Sequence, residues 1–307
     1  MSIALCMLVK DEINRIADCL DPIIGLVDQA VIIDTGSTDG TLQLLAGRYG
    51  IVPMSGSLDA EPCFGKSNLR NRMFAMAETS WILALDADER LDTGALQAFE
   101  RRQHDPSVAG YFGAWLNHPE GEPDLEDYML FLFRKGFSAR GLVHENVQRD
   151  VRGHGERAYW LDGLVVNHYP EAAKMPAKFD LYRRRLECAI RADPSWMRYY
   201  WFSGYMEFQR GRLADAIGHL SLVAGSQSCD FPVECLNSHM VLAEIHARSA
   251  RTREAISSIE SALAFYDRVC GDFEVQVNFR MKPWLERALA ACRAGDLQAV
   301  RAYRFAR

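Results

Sequence analysis

Apolar and polar positions follow two rhythms along the first half of the chain and one along the second. Ile3 to Val9 is a short apolar run that predicts a buried strand, and Asp11 to Leu20 carries Ile13, Ile16, Ala17 and Leu20 on one helical face. Gln29 to Ile33 predicts a β-branched strand. A helix follows the turn Asp34 to Gly40 and runs to Tyr49, with Gly50 as its stop. Pro53 to Ser67 reads as a loop, Asn68 to Glu78 as a helix, and Trp81 to Leu85 as a compact apolar strand. Beyond a helix over Thr93 to Arg102, four more strands are expected: Val108–Leu116, Tyr128–Arg134, Leu142–Arg149 and Tyr159–Val166. Asn117 to Glu126, rich in Pro, Gly and acid, is expected to be a loop. Strands alternating with crossover helices predict an α/β domain over residues 1–172.

From about Met175 the pattern is helical almost to the end, which sets a second, all-α domain over residues 173–307. Small and apolar residues recur there at the spacing of tetratricopeptide hairpins: Gly204, Gly211, Ala216 and Leu220, then Ala243, Ala255, Ile259 and Ala262. A weaker third unit runs from Trp284 through Gly295 to Val300. An ordinary helical bundle is the alternative; the two differ in whether a concave groove exists.

Composition narrows the function classes. The 307 residues are 49 % apolar, ample for two cores, and a net charge of −6 gives no global reason to expect nucleic acid as a partner. No apolar run is long enough to span a bilayer, and the start lacks the basic flank of a secretory signal. Eight single cysteines without a C-x-x-C pair suggest that most are buried thiols. These features favour a cytoplasmic protein.

Candidate chemistry lies at strand ends, where open α/β sheets bind ligands. Asp86-Ala87-Asp88-Glu89 directly follows the Trp81 strand. Two acids separated by one residue can hold Mn²⁺ or Mg²⁺ and a ribose or phosphate, although such a triplet is common by chance. Asp34 ends the second strand and either binds a base or ribose or shapes its turn; Ser37, Thr38 and Asp39 suit helix capping. Arg70, near the start of a helix, is either solvated or a diphosphate contact. Gly65-Lys66-Ser67 is no P-loop, because Ala60 stands where the first glycine is required.

Taken in order, Leu5 to Glu12, Val31 to Thr41, Arg70-Asn71 and Trp81 to Glu89 resemble family 2 glycosyltransferases, in the subgroup fused to tetratricopeptide repeats. The likeness covers roughly residues 2–170. It implies a GT-A fold and inverting, metal-dependent transfer of a sugar from a nucleotide diphosphate donor, UDP-linked in the first instance. The resemblance places Val9 and Glu12 along the nucleotide, Asp34 at the base, and Arg70 at the nucleotide. It puts Asp86 and Asp88 on ribose and metal-diphosphate. Val143-His144-Glu145 and His168-Tyr169 resemble later segments of the subgroup: Glu145 becomes the candidate base with His144 beside it, and His168 a further metal ligand. Outside that context either histidine reads equally as a structural, hydrogen-bonded residue. Two departures stand out: Lys10-Asp11-Glu12 replaces the commoner Lys-Asn-Glu, and the stretch before Arg70 is long. The helical repeats suggest a peptide, protein or saccharide acceptor, a protein partner or self-association. The competing class is a non-catalytic repeat scaffold with a degenerate transferase domain, which would bind no nucleotide.

Overall fold

A computed structural model of the chain describes residues 2–57, 65–100, 107–121, 124–170, 175–227, 230–271 and 281–301. The chain divides into two compact units, Met1–Phe179 and Asp180–Arg304.

The first unit is built on an eight-stranded mixed sheet. Its strands are β1 (Ile3–Val9), β2 (Gln29–Asp34), β3 (Met54–Ser55), β4 (Trp81–Ala84), β5 (Glu89–Leu91), β6 (Val108–Asn117), β7 (Leu125–Arg134) and β8 (Arg157–His168). Their order across the sheet is β3-β2-β1-β4-β7-β6-β8-β5. β1 is parallel to β2 and β4, and β2 to β3, so these four strands end on one edge. β7 runs antiparallel between β4 and β6.

The central strands are buried on both faces, and the period of two in a strand divides their side chains between two cores. Ile3, Leu5, Met7, Trp81, Leu83 and Leu85 join one; Ala4, Cys6, Val31, Ile33 and Ile82 join the other. Helices α1 (Ile16–Leu20), α2 (Thr41–Tyr49) and α4 (Thr93–Glu100) cover the first core through Cys19, Leu45 and Phe99. Helices α3 (Gly65–Met76) and α5 (Gln148–Gly153) cover the second through Leu69, Met73, Val147 and Val151.

Several elements differ from the sequence expectation, among them the short β3 inside the expected Pro53–Ser67 loop and β5, which no pattern announced. The first helix begins at Ile16 rather than Asp11, because Asp11 is left-handed (φ 54°) and residues 11–13 bond across to the β2–α2 turn. Residues Leu142–Arg149 are not a strand. They form a loop with one isolated Arg140–Asn146 bridge and then enter α5, where the buried N-cap Val147 and Val151 have helical spacing. The helix expected at Asn68 begins earlier, at Gly65.

The second unit is helical: α6 (Met175–Ala192, which spans the division), α7 (Met197–Gln209), α8 (Leu213–Ser226), α9 (Pro232–Arg248), α10 (Thr252–Val269) and α11 (Met281–Arg293). Gly211 (φ 75°) turns α7 into α8, and Ala250 (φ 55°) turns α9 into α10. Ala216 and Leu220 are fully buried in the α7–α8–α9 core, and Ala243, Ala255, Ile259 and Ala262 in the core that α9 and α10 share with α11. Of the expected small and apolar positions, Gly211 thus makes a turn, and Ala216, Leu220, Ala243, Ala255, Ile259 and Ala262 are core contacts. No helix among the described residues is long and apolar enough to cross a membrane. Cys6, Cys19, Cys235 and Cys292 are buried free thiols, whereas Cys188 is disulfide-bonded.

Candidate active site

The parallel register brings the loops after β1, β2 and β4 to one edge. Asp34 pairs with Val9, and Ala84 with Cys6, so Asp34 and Asp86 stand at nearly the same height with β1 between them. Two strand spacings separate them, about 10 Å.

The rim beside β1 is stitched together. The Asp11 amide donates to Ser37 Oγ (2.9 Å), the Thr38 amide to Asp11 Oδ1 (2.7 Å) and the Glu12 amide to Thr41 Oγ1 (2.9 Å). Ser37 and Thr38 thus lock two loops rather than cap α2, whose N-cap is Gly40 in a left-handed conformation. Asp34 is buried and accepts the amides of Gly36 (2.9 Å) and Ser37 (3.1 Å), the turn-forming alternative. Glu12 is engaged by the neighbouring Arg15 (2.8 Å), and the Val9 carbonyl accepts from the Thr35 amide (2.9 Å).

Arg70 stands between two acids of this edge. Its Nη2 donates to Asp86 Oδ1 at 2.9 Å and its Nε to Glu145 Oε1 at 2.8 Å, joining two acids far apart in sequence. Burial disfavours its charge, but Asp86 and Glu145 outweigh that and hold the guanidinium well above its ordinary value. Burial likewise opposes ionisation of Asp86; the charges of Arg70, Lys66 and His168 overcome it and lower the Asp86 pKa. The next residue on α3, Asn71, exchanges two hydrogen bonds with the Ala139 backbone (2.6 and 3.0 Å), and Ser67 donates to the Gly141 carbonyl. One face of α3 therefore fixes the 139–145 loop that carries Glu145. His144, left-handed at φ 52°, is exposed at the tip of that loop.

On the other side of the acid turn, Asp88 Oδ2 lies 3.4 Å from His168 Nε2. His168 ends β8, opposite Glu89 of β5 and Asn117 of β6. Glu89 is buried, accepts from the Asp86 amide (2.8 Å) and from Trp115 Nε1 (2.8 Å), and has its pKa pushed up to about 8 by burial and the Asp86 charge. No group of three His, Cys, Asp or Glu side chains arranged to hold a metal occurs among the described residues. A Mg²⁺-like ion on a nucleotide needs only one or two protein carboxylates, with phosphate and water completing its shell, and Asp88 beside His168 fits that requirement.

Asp34, Arg70, Asp86, Asp88, Glu145 and His168 thus stand along one edge of the sheet. Trp115, Asn117 and Glu89 went unassigned in sequence reasoning. Only Glu89 left a trace, as a third acid at a strand tip. A hollow of about 360 Å³ lined by Asp28, Gly50 and Val52 lies at the amino end of β2 and holds none of these groups.

Comparison with known proteins supplies the family. The glycosyl transferase family 2 model matches residues 4–159, just over half of the chain. The chain belongs to glycosyl transferase family 2. Its transferase domain is the mixed-sheet unit, as the motif order implied, and the helical unit follows. A TPR repeat-containing protein of Synechococcus elongatus is 37 % identical over 89 residues, which are 29 % of this chain. The chain spans about a fifth of that relative, 21 % of its length. Among solved structures, residues 1–349 of S. aureus TarS are similar at 13 % identity and a TM-score of 0.41, covering 98 % of this chain and 89 % of that one. The same TarS fragment in complex with UDP-GlcNAc gives 13 % identity, a TM-score of 0.42 and coverage of 98 % and 90 %.

Proposed function

We propose that this transferase domain moves a sugar from a nucleotide diphosphate donor, with UDP as the first nucleotide to test, onto an acceptor hydroxyl or amide, with inversion and with Mn²⁺ or Mg²⁺. The observation that carries the reading is the convergence at the carboxyl edge: Asp86 and Glu145 on either side of Arg70, and Asp88 against His168. A structural role alone gives little reason to gather these charged groups beside the acid turn that ends an apolar strand.

In this reading Asp34 and the stitched 11–13 and 34–41 loops form the floor for the nucleoside. Asp88 and His168 would hold the divalent ion, which when bound offsets the charge developing on the departing diphosphate. Asp86, kept ionised by Arg70, faces the ribose or the ion. Inversion needs a base on the face of the sugar opposite the leaving group, and Glu145, fixed by Arg70 and by the α3-held loop, is the candidate. The helical hairpins suit a peptide, protein or saccharide acceptor or a second copy of the chain.

The test is donor-dependent release of nucleotide diphosphate across a panel of nucleotide sugars with Mn²⁺. Asp88→Ala is expected to lower turnover by a hundred-fold or more, roughly the loss seen when one electrostatic group at a reacting centre is removed. Its melting temperature should stay near wild type, since the only ion-pair contact described for Asp88 is the loose one to His168. Glu145→Gln should slow transfer while leaving donor affinity nearly intact. Full activity of Asp88→Ala, or undetectable UDP binding by the wild-type chain with and without metal, would overturn the proposal.

A further inference from the structure

Two residues of β6 bear on how the Asp88–His168 pair is held. Trp115 and Asn117 are two apart on one strand, so their side chains leave the same face of the sheet. Asn117 lies directly across from His168 in the parallel β6–β8 register. Its Oδ1 is 2.7 Å from His168 Nδ1, and the Trp115 ring stacks on the imidazole with centroids 4.7 Å apart and planes 25° off parallel. The same indole donates through Nε1 to Glu89 Oε1 (2.8 Å), and Glu89 Oε2 accepts the Asp86 amide (2.8 Å).

We infer that Asn117 and Trp115 are positioning residues for the donor site, an assignment that rests on the reading of Asp88 and His168 as its metal-facing pair. An amide oxygen only accepts, so the Asn117 contact puts the imidazole proton on Nδ1 and leaves the lone pair on Nε2, the nitrogen that faces Asp88. Stacking on Trp115 fixes the plane of the ring, and the hydrogen bond to Asn117 fixes which edge points outward. Neither restraint suffices alone: a stacked ring can still flip, and a hydrogen-bonded one can still tilt. Through Glu89, Trp115 also steadies the backbone at Asp86. One strand face thereby orients the histidine and the acid turn together.

The test uses the full chain with ¹⁵N-labelled histidines, at a pH where imidazole is neutral, with His168→Gln to assign the resonance. Wild-type His168 is expected in the Nδ1–H form. Asn117→Ala should give a mixture of the two neutral forms. It should also weaken Mn²⁺ binding, measured by calorimetry with UDP present, by about ten-fold or more, as outer-shell partners of metal-ligating histidines usually do. Asn117→Asp, which keeps an acceptor, should restore the Nδ1–H form. Retention of that form and of wild-type Mn²⁺ affinity in Asn117→Ala would overturn the assignment. A wild-type chain that binds neither UDP nor Mn²⁺ overturns the donor-site reading instead, and the tautomer comparison still decides the role of Asn117.

Discussion

Acids meet their arginines in two ways in this protein, locally or across long stretches of sequence. In the helical unit, Glu244 and Glu207 are each met by an arginine a few residues away, Arg248 and Arg212, reaching in from a half-exposed position. Helix periodicity supplies Arg248 four residues on, and the turn between α7 and α8 supplies Arg212. In the transferase unit Arg70 is itself largely buried, and it joins Asp86, 16 residues away, to Glu145, 75 residues away. Only the fold can assemble that triad. A local pair needs only neighbouring residues, whereas a charge network assembled over long range marks where the fold tolerates an electrostatic cost, and hence a candidate site.

Removing one arginine from each arrangement sharpens this contrast. Arg70→Ala leaves Glu145 buried without its cation and should destabilise the protein by about 3 kcal/mol, the low end for a broken buried pair because Asp86 reaches solvent. Arg248→Ala should cost about 1 kcal/mol, since water can enter where a half-exposed side chain is lost and Arg301 already stands 3.9 Å from Glu244. Urea unfolding of both variants measures the difference. Equal losses would show that the long-range network carries no more than a local pair.

One buried group in each unit should also respond to pH, and the two with opposite sign. Glu89 has its pKa raised from 4.5 to about 8 by burial and the Asp86 charge. Above 4.5 the unfolded chain has released a proton that the folded unit keeps, so stability is fully present below that pH and falls as pH rises through about 8. His239 has its pKa lowered from 6.5 to about 4 by burial. Below 6.5 the unfolded chain binds a proton that the folded unit refuses, so stability is present above 6.5 and falls as pH drops through about 4. Each slope is at most about 1.4 kcal/mol per pH unit. Urea unfolding across this range should show Glu89→Gln removing the alkaline decline and His239→Phe the acidic one. If either slope survives its substitution, the assignment to that residue fails.

How much of this was legible in the sequence depended on how local the cause was. β1, β2 and β4 were readable because continuous apolar runs mark strands buried on both faces, and the acids after Leu85 were visible as a polar break in such a run. The small residues of the α7–α8 and α9–α10 hairpins were readable because helix contact has a fixed period. The segment from Leu142 to Arg149 misled because Leu142, Val143 and Val147 look strand-like, while the burial of Val147 depends on packing beneath the sheet. Arg70, Asp86 and Glu145 were each singled out, yet their pairing was not, since nothing near Arg70 in sequence announces that it bridges the two acids. Trp115 and Asn117 were invisible for the same reason: a tryptophan in an apolar strand reads as core until the strand beside it is known.

The finest test of the periodic reading lies in two glycines of one hairpin. Gly204 on α7 faces α8, and a Cβ there would come within 2.8 Å of Leu220 Cγ and 3.1 Å of His219 Cβ. Gly218 on α8 is exposed, and a Cβ there meets nothing within 4 Å. Both sit inside helices, where alanine is favoured over glycine by about 0.5–1 kcal/mol. At Gly218 that preference is unopposed, so Gly218→Ala should stabilise by roughly that amount. At Gly204 the added methyl must displace a fully buried leucine, and overpacking of about 1–3 kcal/mol outweighs the helix preference, so Gly204→Ala should destabilise. Thermal unfolding of the pair reads the difference in sign. If Gly204→Ala stabilises as much as Gly218→Ala, the close approach of α7 to α8 is wrong, and with it the hairpin register that the spacing of Gly204, Ala216 and Leu220 predicts.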